Sequence, residues 1–332
     1  MSLTIRPATL TDIDVLADLL VADAQARAQV DPVLWALAPD ARDKALAALR
    51  GALGEGGPPF RQQWLLAEAD GAAVGMTHSI LLPVPPIYAG KFGAPGLIME
   101  DCFVSARAPE GTAAALLVAA EDDLRQAGAK LLLGSSIVSG AWEQVLGAQG
   151  YSPLTLYFAK SGLGETTDAE GLRTAAEGDL SAIVTASAAN RAILHALHPT
   201  FWEPHEQADA RFGAWMARSL TLPDRDMLVA EAEGDLEGYA IAQPSSALHF
   251  PAAHDISATG FMDDYFHEDY ADPAQLADGG SAALALLQAA ESRLALRGNR
   301  AALVVCPADW ASKIVVLKAG GYAPALVWHI KT

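Results

Sequence analysis

The feature that most constrains this sequence is an internal repeat, in which the second half of the chain restates the first half. Residues 5–13 begin with Ile-Arg-Pro-Ala and residues 172–180 with Leu-Arg-Thr-Ala, and each segment reaches an aspartate before an apolar stretch. Asp-Pro-Val-Leu-Trp at residues 31–35 returns as His-Pro-Thr-Phe-Trp at residues 198–202, an offset of 167 positions. Such a repeat indicates two diverged copies of one folding unit.

Further segments recur in the same order. Asp-Gly closes an apolar run at residues 64–71 and Glu-Gly closes its counterpart at residues 227–234, which predicts a β-hairpin in each copy. Met-Glu-Asp at residues 99–101 matches Met-Asp-Asp at residues 262–264, an offset of 163. The last matches are an apolar helix ended by glycine, an apolar strand and a closing Gly-Tyr-x-Pro, at residues 113–128, 130–133 and 150–153 and again at 283–298, 301–305 and 321–324.

The order of these segments predicts an α/β fold. Strand, helices, hairpin, central strand, helix, strand, helix and strand follow one another in each copy. We therefore expect two tandem domains, residues 1–163 and 164–332, each with a mixed, mostly antiparallel sheet flanked by helices. The boundary falls in a stretch of glycine, threonine and polar residues at 161–168, which suits a linker.

Charge and composition exclude several classes of function. The net charge is −18, and neither copy has the basic stripe that nucleic-acid binding requires. The acidic surface steers a cationic substrate such as an amine, or only keeps the chain soluble. No apolar run reaches the length of a membrane span, and no signal peptide is evident, so we expect a cytoplasmic protein. The two cysteines, Cys102 and Cys306, are expected to be buried thiols.

Taken together, the motifs resemble the GNAT N-acetyltransferase superfamily over essentially both copies. They are Ile-Arg-Pro-Ala, Ala-Glu-Ala-Asp-Gly with Val-Gly, Glu-Asp-Cys-Phe-Val, Gly-Thr-Ala at a helix start and the late Gly-Tyr. The resemblance implies that an acetyl group, or another short acyl group, is transferred directly from acyl-CoA to a primary amine of a small molecule. Acetyl-CoA would be the cosubstrate, and no metal is implied. His195, His198 and His205 are too irregularly spaced to predict a metal site.

The resemblance also implies where the cosubstrate binds. The pantetheine arm would pair with the central strand, and the pyrophosphate would lie at the start of the next helix, where free N–H groups attract anions. In the first copy the corresponding residues are Cys102, Phe103, Val104, Arg107, Gly111, Thr112 and Ala113. In the second copy the matching loop, residues 267–281, carries four acidic residues and no basic one. We therefore prefer the first copy, although both copies could retain CoA.

A carboxylate on the central strand is the expected general base, because the acceptor amine must lose a proton before it attacks. Glu100 occupies the position that the resemblance assigns to this base, and Asp263 is its positional twin in the second copy. Only one of Glu100 and Asp101 can face the cleft, since strand residues alternate. The alternative is that these carboxylates face solvent or pair with an arginine.

The general acid is absent from its expected place. The tyrosine that many members of the family carry is replaced by Leu146 in the first copy and Leu317 in the second. Solvent, Tyr151 or Tyr157 could protonate the leaving thiolate instead. This departure keeps a competing function open, a non-catalytic protein that binds CoA or a metabolite through degenerate acyltransferase domains.

Two recurring tryptophans mark the expected acceptor pocket. Trp35 and Trp202 lie in the helical segments that the resemblance assigns to this pocket, although a large residue at such a position is also suited to packing a helix on a sheet. The second copy could itself be a platform that completes the pocket. The chain would then act as a monomeric pseudo-dimer, and a homodimer is the alternative.

Overall fold

The computed structural model describes residues 2–54, 60–164 and 171–332. Residues 165–168 of the predicted linker lie outside the described residues. In the first half the elements are β1 (Leu3–Pro7), α1 (Ile13–Val30), α2 (Ala41–Leu53), β2 (Gln62–Ala69), β3 (Ala72–Leu81), β4 (Gly96–Ile98), β5 (Phe103–Val104), α3 (Thr112–Gln126), β6 (Leu132–Ile137), α4 (Ala141–Ala148) and β7 (Ser152–Ser161).

The second half repeats this order of elements. They are β8 (Leu172–Thr174), α5 (Leu180–Leu197), α6 (Ala208–Ser219), β9 (Asp226–Ala232), β10 (Asp235–Pro244), β11 (Thr259–Met262), β12 (Tyr265–His267), α7 (Ser281–Leu296), β13 (Ala301–Pro307), α8 (Ala311–Ala319) and β14 (Ala323–Lys331). The predicted α/β fold, with a mixed and mostly antiparallel sheet flanked by helices in each half, is confirmed.

The hairpins form where the sequence predicts them. β2 pairs with β3 and β9 with β10, both antiparallel. The turn residues Asp70 and Gly71 have φ of 49° and 81°, and Glu233 and Gly234 have φ of 53° and 95°. Two successive positive φ angles give the backbone twist that joins tightly paired antiparallel strands.

Helices cover both faces of the sheet because strand side chains alternate between them. On β2, Trp64 and Leu66 pack against α1 and α2, whereas Leu65 and Ala67 pack against α3. The second half is layered in the same way, with α5 and α6 on one face and α7 on the other. The segment Glu177–Leu197, which contains α5, is the one described helix that passes a test of length and mean hydropathy for crossing a membrane.

The strands of both halves form a single sheet. Among the described residues it has 14 strands, and its main path runs in the order β1-β2-β3-β4-β6-β14-β7-β13-β11-β10-β9-β8. The last strand of each half is therefore exchanged. β14 lies between β6 and β7, and β7 lies between β14 and β13, with antiparallel pairing throughout. Neither half has a complete sheet without a strand from the other.

Two loops also cross between the halves, in reciprocal fashion. The loop between β3 and β4 lies over residues 198–207, where Ala89 N donates to Glu203 O and His205 N donates to Ile87 O. The loop between β10 and β11 lies over the segment before α2, where Ala38 N donates to Ala253 O. A loop of each half therefore covers the connection between the first two helices of the other half.

Candidate functional site

In each half the central strand separates from its parallel neighbour partway along its length. β4 pairs with β6 as far as Ile98 and Gly134, and β11 pairs with β13 as far as Met262 and Val304. Beyond these points the chain keeps its antiparallel partner, since β3 pairs with β4 and then with β5, and β10 pairs with β11 and then with β12, but it no longer pairs with β6 or β13. This divergence opens a cleft at the middle of each half.

The first half has one extra residue at this divergence. Gly96 and Gly260 occupy equivalent places, each against a leucine of the covering helix, which gives an offset of 164. Gly75 pairs with Val104 and Gly238 with His267, which gives an offset of 163. The equivalence of carboxylates therefore shifts within the segment. Counted from the preceding strand Glu100 matches Asp264, and counted from the following strand it matches Asp263.

Glu100 is a buried carboxyl that lacks a complete set of partners. It is 4% exposed, and within the described residues its Oε2 atom accepts no hydrogen bond. Burial and then the Asp101 carboxylate raise the pKa of Glu100 to about 7, against the opposing Arg27 guanidinium. Asp101 itself is held by His78, whose Nδ1 atom lies 3.0 Å from both carboxylate oxygens. A carboxyl group with a pKa near neutrality is suited to accept a proton from an amine.

An arginine of α1 packs against the central strand in the first half, on the face of the sheet that α1 and α2 cover. The Arg27 guanidinium donates to the backbone carbonyl of Glu100 and forms an ion pair of 2.8 Å with Asp23. It lies 5.5 Å from the centroid of the Trp35 ring, and that ring is 5.2 Å from the ring of Phe250 in the second half. Trp35 is thus packed in a filled region rather than at an open pocket.

The start of α3, where the resemblance predicts that the cosubstrate binds, is partly exposed in the first half. α3 begins after Gly111, whose φ is +80°, and in the described part of the chain no side chain accepts a hydrogen bond from its first turn. Thr112 N donates to Pro109 O at 3.2 Å, and the next N–H groups of the first turn, which an α-helix leaves without an intrahelical partner, form the expected anion site. Cys102 and Thr112 are buried, and the other residues predicted to contact CoA are half-buried or exposed, namely Phe103, Val104, Arg107, Gly111 and Ala113.

The corresponding helix start in the second half is already occupied. The loop before α7 has twelve residues, 268–279, where the first half has six, 105–110. Within the longer loop, Asp269 Oδ2 accepts a hydrogen bond of 3.0 Å from Ala283 N in the first turn of α7. A carboxylate of the protein therefore takes the place that a phosphate would take, as the acidic composition of this loop predicts.

The cleft of the second half is also filled by side chains. Lys313 Nζ donates to the Tyr265 carbonyl at 2.8 Å, and Trp310 Nε1 donates to the Tyr270 carbonyl at 2.7 Å. The Lys313 ammonium group lies 5.3–5.6 Å from the ring centroids of Tyr265, Tyr270 and Trp310. Trp310 precedes the first residue of α8, and the equivalent residue before α4 is Gly140. A tryptophan thus fills in the second half a position that is a glycine in the first half.

A cavity of about 450 Å³ lies between α5 and this cleft of the second half, and Trp310 and Lys313 also line it. It contains the Asp263 and Asp264 carboxylates, with Trp202, Tyr157 and His249 among the surrounding rings. The loop between β3 and β4 of the first half forms its roof. Burial raises the pKa of Asp264 to about 7, with a further contribution from Asp263, and burial lowers the pKa of His249 to about 4. The histidine is therefore neutral at pH 7.

The structure separates the remaining predicted residues. Trp202 lines the cavity, whereas Trp35 does not. Leu146 and Leu317 are both buried in the apolar core. Tyr151 is buried beside Glu121 of α3, which together with burial raises its pKa, and Tyr157 lines the cavity of the second half.

Histidines 198 and 205 serve the local backbone. The Nδ1 atom of His198 accepts from Phe201 N, and that of His205 accepts from Gln207 N. Within the described ranges no group of three or more potential ligands is arranged to hold a metal. Both cysteines are buried and free.

Comparison with solved structures shows which known proteins share this fold. No family model and no curated protein matches the sequence. Among solved structures, a GCN5-related N-acetyltransferase from Sphaerobacter thermophilus is 18% identical, with 99% of this chain and 95% of that chain covered and a TM-score of 0.58. A tandem GNAT protein from the clavulanic acid biosynthesis pathway is 17% identical, with 99% and 98% covered and a TM-score of 0.52. The chain has the tandem GNAT acetyltransferase fold.

Several residues that define the sites were not singled out in the sequence. They are Asp23, Arg27, Asn190, His249 and Lys313. Asp23 and Arg27 are four positions apart in a helix, a spacing that predicts an ion pair but not its burial against the central strand. Asp23 and Arg27 could have been found because the ion pair does not recur in the second copy. At the offset of 167 they correspond to Asn190 and Leu194, which cannot form one.

Proposed function

We propose that the chain is an acyl-CoA-dependent N-acyltransferase whose first half carries the reaction. Acetyl-CoA, or another short acyl-CoA, would bind in the open cleft beside β5, and the acceptor would be a primary amine of a small molecule. The observation that carries this proposal is Glu100, a buried carboxyl with a free Oε2 atom and a pKa near 7 at the divergence of β4 and β6.

The first half supplies the groups that binding requires. The free N–H groups at the start of α3 hold the pyrophosphate, and Arg107, which is exposed on the same loop, adds a positive charge. The backbone of Cys102, Phe103 and Val104 borders the pantetheine arm. Thr112 and Ala113 are small, so the diphosphate can approach the backbone closely.

The proposed reaction requires a general base and no covalent acyl-enzyme intermediate. The thioester of acyl-CoA supplies an activated acyl carbon. Glu100 removes a proton from the ammonium form of the acceptor, and the neutral amine then attacks the thioester carbonyl. As the C–S bond breaks, the nitrogen loses a second proton to solvent and the amide forms. Because Leu146 occupies the expected place of a tyrosine, solvent provides the proton for the thiolate.

The second half would serve as a platform. It contributes β14 to the central sheet and the loop that packs on Trp35. Because each half completes the sheet of the other, we propose that a monomer with an internal pseudo-dimer is the working unit, in the cytoplasm.

A thiol-release assay with acetyl-CoA and a panel of primary amines tests the proposal. We expect Glu100→Gln to lower kcat by about 100-fold or more, the range in which a general base contributes. Asp263→Asn is the matched variant and should change kcat by less than about threefold. Loss of turnover in Asp263→Asn with normal turnover in Glu100→Gln would assign the chemistry to the second half.

The second candidate function is a protein that binds CoA without transferring an acyl group. The Arg27–Asp23 ion pair favours this binding function, because the two side chains fill the space between α1 and the central strand where an acceptor would lie. Calorimetric binding of acetyl-CoA without thiol release from any amine would support this function and reject the transferase.

A further inference from the structure

Asp101, the residue after Glu100, lies at the end of a row of buried polar side chains from β2 and β3. His78 is 8% exposed, and its Nδ1 atom lies 3.0 Å from both carboxylate oxygens of Asp101. Its Nε2 atom lies 3.1 Å from Gln62 Oε1, and its ring stacks on Trp64 at a centroid distance of 4.0 Å. A carboxylate only accepts hydrogen bonds, so Nδ1 donates to Asp101. The imidazole therefore holds this carboxylate in one position.

The second half keeps two carboxylates at the equivalent place but has no histidine there. His78 faces Trp64 across the β2–β3 hairpin, and at the offset of 163 the same pair in the β9–β10 hairpin is Ile241 and Met227. Both are buried and apolar. The framework is therefore satisfied by an apolar pair, and a buried polar pair generally adds no stability over an apolar one. A histidine that is present in one half only indicates a role other than packing.

The groups that surround Glu100 come from α1, β6, β7 and the adjoining chain. They are Asp23, Arg27, Ser135, Tyr157, Asp101 and Cys102. Cys102 and Tyr157 are neutral at pH 7, because burial raises the pKa of each well above its ordinary value. Burial is the largest cause that raises the pKa of Glu100, and the Asp101 carboxylate is the second, against the Arg27 guanidinium. A change in the charge of Asp101 therefore changes the proton affinity of Glu100.

We propose that His78 is a positioning residue of the first-half site. By donating to both oxygens of Asp101, it keeps that carboxylate ionised and fixed close to Glu100. The repulsion between the two carboxylates then makes Glu100 a stronger base toward the ammonium group of the acceptor. His78 acts through Asp101 and does not contact the substrate. This inference rests on the proposed function, in which Glu100 removes the proton from the amine.

Carbon-13 NMR titration of the Glu100 carboxyl tests the proposal without requiring turnover, and Glu100→Gln assigns the signal. In the wild type we expect a titration midpoint at about pH 7. His78→Phe keeps a ring against Trp64 but removes the donor. It should lower the midpoint by about 1 pH unit or more, because Asp101 without its donor binds a proton and no longer repels the Glu100 carboxylate. An unchanged or raised midpoint in folded His78→Phe overturns the proposal.

Two variants control for the loss of a buried histidine as such. His78→Asn places an amide N–H group where Nδ1 lies, so the midpoint should stay within about 0.3 pH units of the wild type. His329→Phe removes another buried histidine, which bonds to Ser136 and matches Phe158 in the other exchanged strand, and it should leave the midpoint unchanged. Near-UV circular dichroism checks that each variant is folded. A fall in either control as large as that in His78→Phe contradicts the proposal.

The pH profile of acyl transfer separates this inference from the transferase itself. With an amine that is acetylated, the acidic limb of kcat/KM should move to lower pH in His78→Phe by as much as the NMR midpoint does. A limb that stays in place while the midpoint falls would remove His78 from the reaction. Absence of thiol release with every amine rejects the transferase, whereas the NMR comparison still decides whether His78 sets the proton affinity of Glu100.

Discussion

The two halves share a framework but keep opposite parts of a site open. In the first half no side chain among the described residues caps the start of α3, while Arg27 packs against the central strand on the face that α1 and α2 cover. In the second half Asp269 accepts a hydrogen bond from the first turn of α7, while a cavity lies beside α5. The two halves therefore share the sheet but are filled by side chains at different places.

The largest effect on this comparison is expected at the residue that fills the second cleft. Trp310 is fully buried, and Trp310→Ala should lower the free energy of unfolding by about 4 kcal/mol through the cavity it leaves. Trp142, in the corresponding helix of the first half, is only partly buried, so Trp142→Ala should cost about 1 kcal/mol. Urea denaturation measures both. Equal losses would contradict the deeper burial of Trp310 in the second half.

A somewhat smaller effect is expected at the arginine that fills the first acceptor side. Arg27→Leu removes one partner of a buried ion pair and leaves Asp23 unpaired, so we expect a loss of about 3 kcal/mol. Asp23→Asn combined with Arg27→Leu, which reproduces the second half, should recover at least half of that loss. Urea denaturation of the two variants provides the comparison, and a double variant no more stable than Arg27→Leu contradicts it.

The buried carboxyls also predict how stability depends on pH. Burial is the largest cause that raises the pKa of Glu100 and Asp264 to about 7 and that of Asp23 to about 6. Between about pH 4 and 7 these carboxyls therefore bind more protons in the folded state than in the unfolded state, and their contribution to stability falls as pH rises. Buried His249, whose pKa is lowered to about 4, contributes in the opposite direction.

Relative to Glu100→Gln, we expect the wild type to lose about 2 kcal/mol more of its free energy of unfolding between pH 5.5 and 8, because the glutamine carries no proton to lose. Chemical denaturation of both proteins at a series of pH values is the measurement. An identical pH dependence of the two proteins would contradict the buried, proton-binding state of Glu100.

The smallest effect concerns the glycines that precede α3 and α7. Both have positive φ, but a Cβ at Gly111 meets open space, whereas one at Gly280 would lie 2.8 Å from Val316. We expect Gly111→Ala to cost about 1 kcal/mol and Gly280→Ala to cost about 2 kcal/mol, since the second adds a clash to the backbone strain. Thermal unfolding of the two variants decides between these outcomes, and the reverse order would be inconsistent with an open helix start in the first half.

Local features of the fold were predictable from sequence because they depend on neighbouring residues. The hairpin turns at Asp70 and Glu233 require only a turn signal between two apolar runs. The exchange of β7 and β14 was not predictable, since their pairing joins segments about 170 positions apart and both strands are equally apolar. Periodicity identifies a strand but not its partner.

The site divides in the same way. The acidic loop before α7 predicts poor phosphate binding, which stays a prediction, and the structure adds a physical reason for it, because Asp269 accepts a hydrogen bond from a helix N–H group. The second-half cavity was not predictable, because it depends on Leu194 standing where Arg27 stands and on a roof loop from the other half. The contribution of such a replacement appears only when the three-dimensional neighbours are known.

The exchanged strands have a consequence for how the protein is made. The gap between β6 and β7 is filled by β14, which is translated about 160 residues after β7. At ordinary elongation rates this interval lasts on the order of 10–30 s. During that time the nascent first half exposes the unpaired edges of β6 and β7. We therefore expect it to need chaperones until the second half has been synthesised and β14 can pair with both strands.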